Sequence, residues 1–297
     1  MKKIVIAVIS CLALSVSAAQ ACEFCTVHNG LGQYNNQGDF VSLAYRSTYA
    51  STTVDGGSSV QSGHDHNLSI NTVQAYYQHS FSENLKGQLV VPYLQKKQNH
   101  DGESDSSSGL GDVIAMLRYT VWGDHDQFLA VMGGLKLPTG TKKNENGTNT
   151  FSPDLALGTG STDPLIGLVY NHNIGLWNYS LDALYKFSGK GYDGYQFGNV
   201  LNLGLNGYYT LNNNFNIGAG FLSETTAADN DSDGTVTGAA GTVDSTGGTV
   251  IFAQPAIQYT RENFYAELAY QLPVYRNFIG TQLVVDNKLV LSVRYAF

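Results

Sequence analysis

Lys288-Leu289-Val290-Leu291-Ser292-Val293-Arg294-Tyr295-Ala296-Phe297 is the stretch that decides the fold. Leu289, Leu291, Val293, Tyr295 and Phe297 fall on one face of an extended chain, and Lys288, Ser292 and Arg294 fall on the other. A period of two marks a β-strand with one apolar face. The same phase runs through 177–188, where Trp177, Tyr179, Leu181, Ala183, Tyr185 and Phe187 oppose Asn178, Ser180, Asp182, Lys186 and Ser188. In 111–122, Val113, Ala115, Leu117, Tyr119 and Val121 oppose Asp112, Met116, Arg118 and Thr120. Arg46, Lys86, Lys136 and Glu267 stand opposite the apolar set in 40–52, 85–97, 127–139 and 264–276.

Working outward, twelve such segments follow Asp39: 40–52, 68–81, 85–97, 111–122, 127–139, 162–173, 177–188, 198–210, 215–226, 249–260, 264–276 and 284–297. Short breaks at 82–84, 123–126, 174–176, 211–214 and 261–263 alternate with mostly longer ones at 53–67, 98–110, 140–161, 189–197, 227–248 and 277–283, which are rich in Gly, Ser, Asp and Asn. An even strand count with strictly alternating loop lengths predicts an all-β chain: an antiparallel, up-and-down transmembrane β-barrel of about twelve strands, with short periplasmic turns and long outer loops. Systematic removal of charge from one face fits lipid contact, because Lys or Arg facing mid-membrane lipid costs roughly 2–4 kcal/mol. Tyr45, Tyr49, Tyr77, Phe81, Tyr119, Trp177, Tyr209, Phe215, Tyr259, Phe264, Tyr295 and Phe297 cluster near strand ends, where interfacial girdles lie.

Composition agrees. Only 13% of the 297 residues are charged, against roughly 25% in an ordinary soluble domain. With 33 Gly, 19 Tyr and 13 Phe, the chain is too aromatic for disorder. A mean hydropathy of −0.14 is too low for a helical membrane bundle. The prefix has the basic Lys2-Lys3, a short apolar run over 4–16 and Ala19-Gln20-Ala21, and predicts an export signal over 1–21. Its removal moves the net charge from −8 to −10, and so acidic a chain is not a nucleic-acid binder. The expected organisation is a signal at 1–21, a periplasmic segment at 22–38 and an outer-membrane barrel at 39–297.

The segment 22–38 carries Cys22-Glu23-Phe24-Cys25 and then His28. Three chemistries fit it: a tight disulfide in an oxidising space, a soft-metal site of Cys22, Cys25 and His28, and a lipid on Cys22. A c-type haem needs His directly after the second Cys, and Thr26 stands there. Asp229-Asn230-Asp231-Ser232-Asp233-Gly234 opens like a calcium loop, so Asp229, Asp231 and Asp233 are cation candidates, although position 12 would be Ala240 rather than Glu. His64, His66 and His100 are candidates for a transition metal. No His has Ser two residues on, and the adjacent His79-Ser80 points to opposite faces. The chain therefore lacks the paired His and Ser of outer-membrane lipid hydrolases, and no enzyme activity and no cofactor are expected.

Ser108-Gly109-Leu110-Gly111-Asp112, Gly134-Leu135-Lys136-Leu137-Pro138-Thr139-Gly140 and Gly158-Thr159-Gly160-Ser161-Thr162-Asp163-Pro164 together resemble the outer-membrane transporter family named for the MetA pathway of phenol degradation. The resemblance implies a channel or transporter for small, often aromatic or hydrophobic compounds. The ending on Phe297 resembles the signal by which the β-barrel assembly machinery recognises its clients. The remaining expected partners are outer-membrane lipid, lipopolysaccharide and a small-molecule substrate. The predicted lumen carries Arg46, Lys86, Arg118, Lys136, Lys186 and Arg294 against Asp112, Asp182 and Glu267, a basic excess that would favour anions such as phenolates or aromatic carboxylates. In the alternative these groups pair and plug a non-conducting barrel, whose role is then metal or cation binding. Pro92, Pro138 and Pro273 fall near strand tops, where a missing N–H loosens the ladder.

Overall fold

The structure, a computed structural model, describes residues 38–61, 65–124, 126–141 and 153–297. The expected export signal, Cys22, Cys25, His28 and His64 lie outside the described residues. Twelve long strands build the wall: β1 (Phe40–Asp55), β2 (His66–Ser80), β3 (Leu85–His100), β4 (Val113–Gly123), β5 (Gln127–Leu137), β6 (Asp163–Ile174), β7 (Trp177–Lys186), β8 (Val200–Thr210), β9 (Phe215–Thr226), β10 (Gly248–Arg261), β11 (Phe264–Phe278) and β12 (Thr281–Ala296). Each pairs antiparallel with its sequence neighbours, and β12 closes on β1 in a register running from Phe40 opposite Ala296 to Asp55 opposite Thr281. The result is a closed barrel without edges, which satisfies backbone groups where lipid offers no partner.

The alternation forecast by sequence is the alternation of burial. Leu43, Tyr45, Leu117, Tyr119, Leu203, Leu205, Leu268, Leu289 and Leu291 are exposed on the outer face, while Arg46, Gln74, Lys86, Arg118, Gln258 and Glu267 are buried on the inner one. A soluble sheet would bury the first set and expose the second. The inversion identifies lipid as the solvent of the outer wall.

Five short turns share one end with Gly38 and Phe297. Three of them are held by side-chain oxygens: Asn212 Oδ1 accepts the N–H of Asn214 and Phe215 at 2.9 and 3.0 Å, Asp124 Oδ1 accepts those of Asp126 and Gln127 at 2.9 and 3.1 Å, and Ser82 Oγ accepts that of Leu85 at 3.0 Å. Just above, Trp177 and Tyr209 (ring centroids 4.9 Å apart) and Phe215 and Tyr259 (5.2 Å) form part of an aromatic girdle. At the other end the strands run further than expected. The break at 98–110 is a hairpin: β3 continues to His100, turns through Asp101 and Gly102 in left-handed backbone (φ +50° and +88°), and Glu103–Leu110 pairs back along it. The break at 277–283 shrinks to the turn Ile279-Gly280.

Candidate functional site

Lys136, at the top of β5, points inward with its ammonium group buried. It lies 2.6 Å from Asp112 Oδ2 and 3.0 Å from Asp163 Oδ2, and it also donates to the Thr159 hydroxyl. Lys186 Nζ stands 4.0 Å from Asp163 Oδ2, so two cations face two carboxylates. Burying four charges in one place is tolerable only because their other valences are met. Asp112 Oδ1 accepts the Gly140 N–H at 2.9 Å, and Oδ2 accepts the Thr159 N–H at 2.9 Å. Asp163 Oδ1 accepts from Ser161 Oγ at 2.7 Å and from the Gly189 N–H at 2.9 Å.

The three motifs quoted above meet in this knot. Gly111-Asp112 breaks the strand between Glu103–Leu110 and β4, and Thr139 bridges the break by donating to Gly111 O (2.8 Å) and accepting from Val113 N (2.9 Å). Gly140 and Gly158 pack backbone to backbone. A Cβ on Gly140 would meet Leu157 O at 2.6 Å and Gly158 Cα at 2.7 Å, and a Cβ on Gly158 would strike the Asp112 carboxylate. Glycine is thus required at both positions by close approach.

The knot fixes the segment 153–162, which leaves the rim and turns into the barrel. Lys96 Nζ on β3 donates to Ala156 O at 2.6 Å, and Ser107 Oγ donates to Leu155 O at 2.6 Å. Leu157, fully buried, shares an apolar cluster with Ala50 of β1, Leu68 and Ile70 of β2, Leu94 of β3 and Leu283 of β12. The segment therefore packs inside the barrel against the inner faces of β1, β2, β3 and β12.

The remaining candidates separate into groups. Lys86 and Arg118 are register partners across β3 and β4. Arg46 on β1 is completely buried, and among the described residues none of its three guanidinium nitrogens has a hydrogen-bond partner. On the opposite wall Glu267 Oε2 accepts from Gln258 Nε2 (2.7 Å), Tyr265 OH (2.9 Å) and Tyr208 OH (3.0 Å). Arg294 stacks on Phe40 and Tyr265, and Asp182 lies on the inner face of β7. Lys288, already on the inward face by its phase, lies 3.1 Å from Glu224, and Glu224, Lys96 and Asp163 join this inner set without having been expected there from sequence. Asp163 was recoverable, since it stands inside the third motif in phase with Ser161.

The loop acids do not converge. Asp229 accepts from Tyr195 OH and Gly198 N, both at 2.7 Å, and burial pushes its carboxyl up. Asp231 accepts from the N–H of Gly234 (3.2 Å), Val236 (3.0 Å) and Thr237 (2.7 Å); burial acts to raise its carboxyl, but these bonds hold it below the usual range. Asp233 caps Thr235 N at 3.1 Å. His66 and His100 are register partners with ring centroids 5.1 Å apart, and His66 Nε2 lies 2.7 Å from Gln98 Nε2. Among the described residues, no group of three or more His, Cys, Asp or Glu is placed to hold a metal ion.

A closed twelve-strand barrel with an oily exterior and a polar interior defines a protein of the bacterial outer membrane. The chain belongs to the family described as "Putative MetA-pathway of phenol degradation", whose model matches residues 49–272 and includes all three knot motifs. Comparison with curated proteins finds no match. Among solved structures, the fold is similar to an outer membrane channel from Pseudomonas putida F1, with a TM-score of 0.66 and 16% identity over 88% of this chain and 96% of that one. It is also similar to the translocator domain of the autotransporter NalP from Neisseria meningitidis, with a TM-score of 0.57 and 14% identity over 94% and 95%.

Proposed function

We propose that the chain is an outer-membrane channel for small organic molecules, aromatic or hydrophobic in class, and that its lumen favours their anionic forms. The observation that carries this reading is the inner face itself. A closed wall surrounds buried charged and polar side chains beside apolar clusters, and one segment held through ionic and hydrogen-bonded contacts lies within it. The membership in a phenol-degradation family supports the aromatic class, and the outer membrane channel from Pseudomonas putida shares the barrel.

Charge supports the anion preference. Lys136 and Lys186 face Asp112 and Asp163, and Lys288 faces Glu224. Among the described residues, the buried Arg46 guanidinium has no hydrogen-bond partner and adds positive charge to the interior. Field lines concentrate in a narrow low-dielectric lumen, so such charge raises the local concentration of phenolate or carboxylate. The reading is tested in planar bilayers under a KCl gradient. The expected result is discrete conductance with a reversal potential on the anion side, moved toward zero by Arg46→Gln. Purified, inserted protein that passes no current, together with unchanged aromatic uptake in a strain lacking it, refutes the proposal.

A further inference from the structure

Arg46 stands near the middle of β1, wholly buried, and among the described residues its Nε, Nη1 and Nη2 have no hydrogen-bond partner. Two residues along on the same face, Thr48 keeps a buried hydroxyl that is equally free. So does Thr72, which lies directly opposite Arg46 across the β1–β2 ladder. Side chains opposite each other on neighbouring strands start about 5 Å apart, and those two residues apart on one strand start about 7 Å apart. One guanidinium and two hydroxyls therefore issue, uncommitted, from a single patch of the inner wall.

Other inner cations are engaged. Lys136 has Asp112 and Asp163, Lys288 has Glu224, Arg294 stacks on Phe40 and Tyr265, and Arg118 stands 5.8 Å over the Phe128 ring. A buried ion is stable when it is paired or hydrogen-bonded, and a guanidinium cannot shed its proton to escape the penalty. An orphaned group of this kind points to a ligand that completes it.

The patch dictates both ends of that ligand. The guanidinium is a planar fork that matches a carboxylate through two parallel hydrogen bonds, and the threonine hydroxyls add further donors. Around the fork the wall turns apolar. Arg46 lies opposite Val290 of β12, Thr72 opposite Leu94 of β3, and Thr48 opposite Ile70 of β2. Ile70 and Leu94 share a cluster with Leu157, and Leu157 is the member of that cluster supplied by the inner segment 153–162 rather than by a wall strand. Its side chain can be exchanged for a ligand's apolar body with no change in the wall.

We propose that Arg46, with Thr48 and Thr72, is a binding site for aryl monocarboxylates such as benzoate, whose ring takes the place of Leu157 against Ile70 and Leu94. The proposal rests on the channel reading above and chooses among its solutes. A carboxyl titrates near pH 4 and is ionised at neutral pH, whereas a phenol titrates near pH 10 and is not. A phenolate also offers one oxygen to a fork that fits two. The test is equilibrium dialysis of labelled benzoate against the detergent-purified protein at pH 7. One benzoate is expected per barrel. Arg46→Met is expected to weaken it at least tenfold and Thr72→Val severalfold, while Leu157→Ala, which makes room for the ring, tightens it severalfold. Benzyl alcohol and phenol, which keep the ring without the charge, are expected to bind at least tenfold more weakly than benzoate.

Stability gives a second, independent readout. Without benzoate, Arg46→Met is expected to raise the urea midpoint, because it exchanges a buried, unpaired charge for an apolar side chain. Benzoate is expected to raise the midpoint of the parent and to leave that of Arg46→Met where it is. Benzoate binding that is unchanged in Arg46→Met, or matched by benzyl alcohol, overturns the site. So does an Arg46→Met barrel that unfolds more readily than the ligand-free parent, since Arg46 would then be holding the fold. Benzoate bound as described by a protein that passes no current refutes the channel reading and leaves the site in place, and conductance without benzoate binding does the reverse.

Discussion

Replacing Lys136 with Met removes the cation at the centre of the knot while keeping most of the side chain's volume. The carboxylate oxygens of Asp112 and Asp163 lie 2.6 and 3.0 Å from its Nζ. They are therefore within about 6 Å of each other, and two like charges at that separation repel by roughly 3 kcal/mol at an effective dielectric near 20. Stripping one partner from a buried ion group costs about 3–5 kcal/mol, and Lys186 at 4.0 Å keeps this case near the lower bound. The strain falls on the segment 153–162, because the Thr159 N–H and the Ser161 hydroxyl donate to the same two carboxylates, whereas the wall strands keep their ladders. A loss of about 3 kcal/mol shifts the balance between seated and displaced segment on the order of a hundredfold. Single-channel recording reads this as longer open times and larger conductance, with heat-modifiable gel migration confirming an intact barrel. Adding Asp112→Asn and Asp163→Asn is expected to restore much of the closure, since it removes the repulsion. An intact Lys136→Met barrel with the conductance and open fraction of the parent would refute the reasoning.

Other predictions follow from separate parts of the molecule. Gly158→Ala places a Cβ 2.8 Å from Gly140 Cα and against the Asp112 carboxylate, so it should unseat the segment 153–162 in the same recordings, with barrel stability unchanged. Leu205→Arg, on the outer face of β8 and 48% exposed, should cost roughly 2–4 kcal/mol of folding free energy in urea titrations in lipid vesicles, the price of a charge against mid-membrane lipid. At the periplasmic end, the Ser80 N–H (2.8 Å) and then His79 Nδ1 (2.6 Å) hold the Asp39 carboxyl below its ordinary value. A depressed folded-state pKa gives stability that is present above the unfolded value of 3.8 and lost as pH falls through the folded value. The protection factor of the Ser80 N–H, relative to its intrinsic exchange rate, should therefore fall below about pH 4 in the parent, and in Asp39→Asn it should be lower and show no such step.

The strands were legible because lipid contact imposes a strict rule. Arg118 or Lys288 on the wrong face would be intolerable, so their phase alone orients β4 and β12. Rule and reading part company where that pressure ends. The sequence 98–110 is Asn-, Ser-, Asp- and Gly-rich and reads as a loop, yet in the structure it is a hairpin standing above the membrane, where polar strands cost nothing. The run Leu283-Val284-Val285 has no alternation to phase, and only the structure shows all three turned inward. For the knot, the motifs named the residues but not their meeting. A Gly- and Thr-rich stretch such as 158–162 looks the same whether it faces water or packs inside a barrel. What distinguishes the two is the pairing of Lys136 with acids 24 residues before and 27 residues after it, which no local period encodes.

The most direct test of the whole account is passage of solute through the purified protein. Liposomes carrying the purified protein are placed in isosmotic solutions of small organic solutes and followed by light scattering. The account predicts swelling faster than in protein-free vesicles, faster again with Lys136→Met, and faster for benzoate than for a neutral sugar of similar size. Vesicles that hold correctly inserted barrels and yet swell no faster than bare lipid, for both proteins, would contradict it.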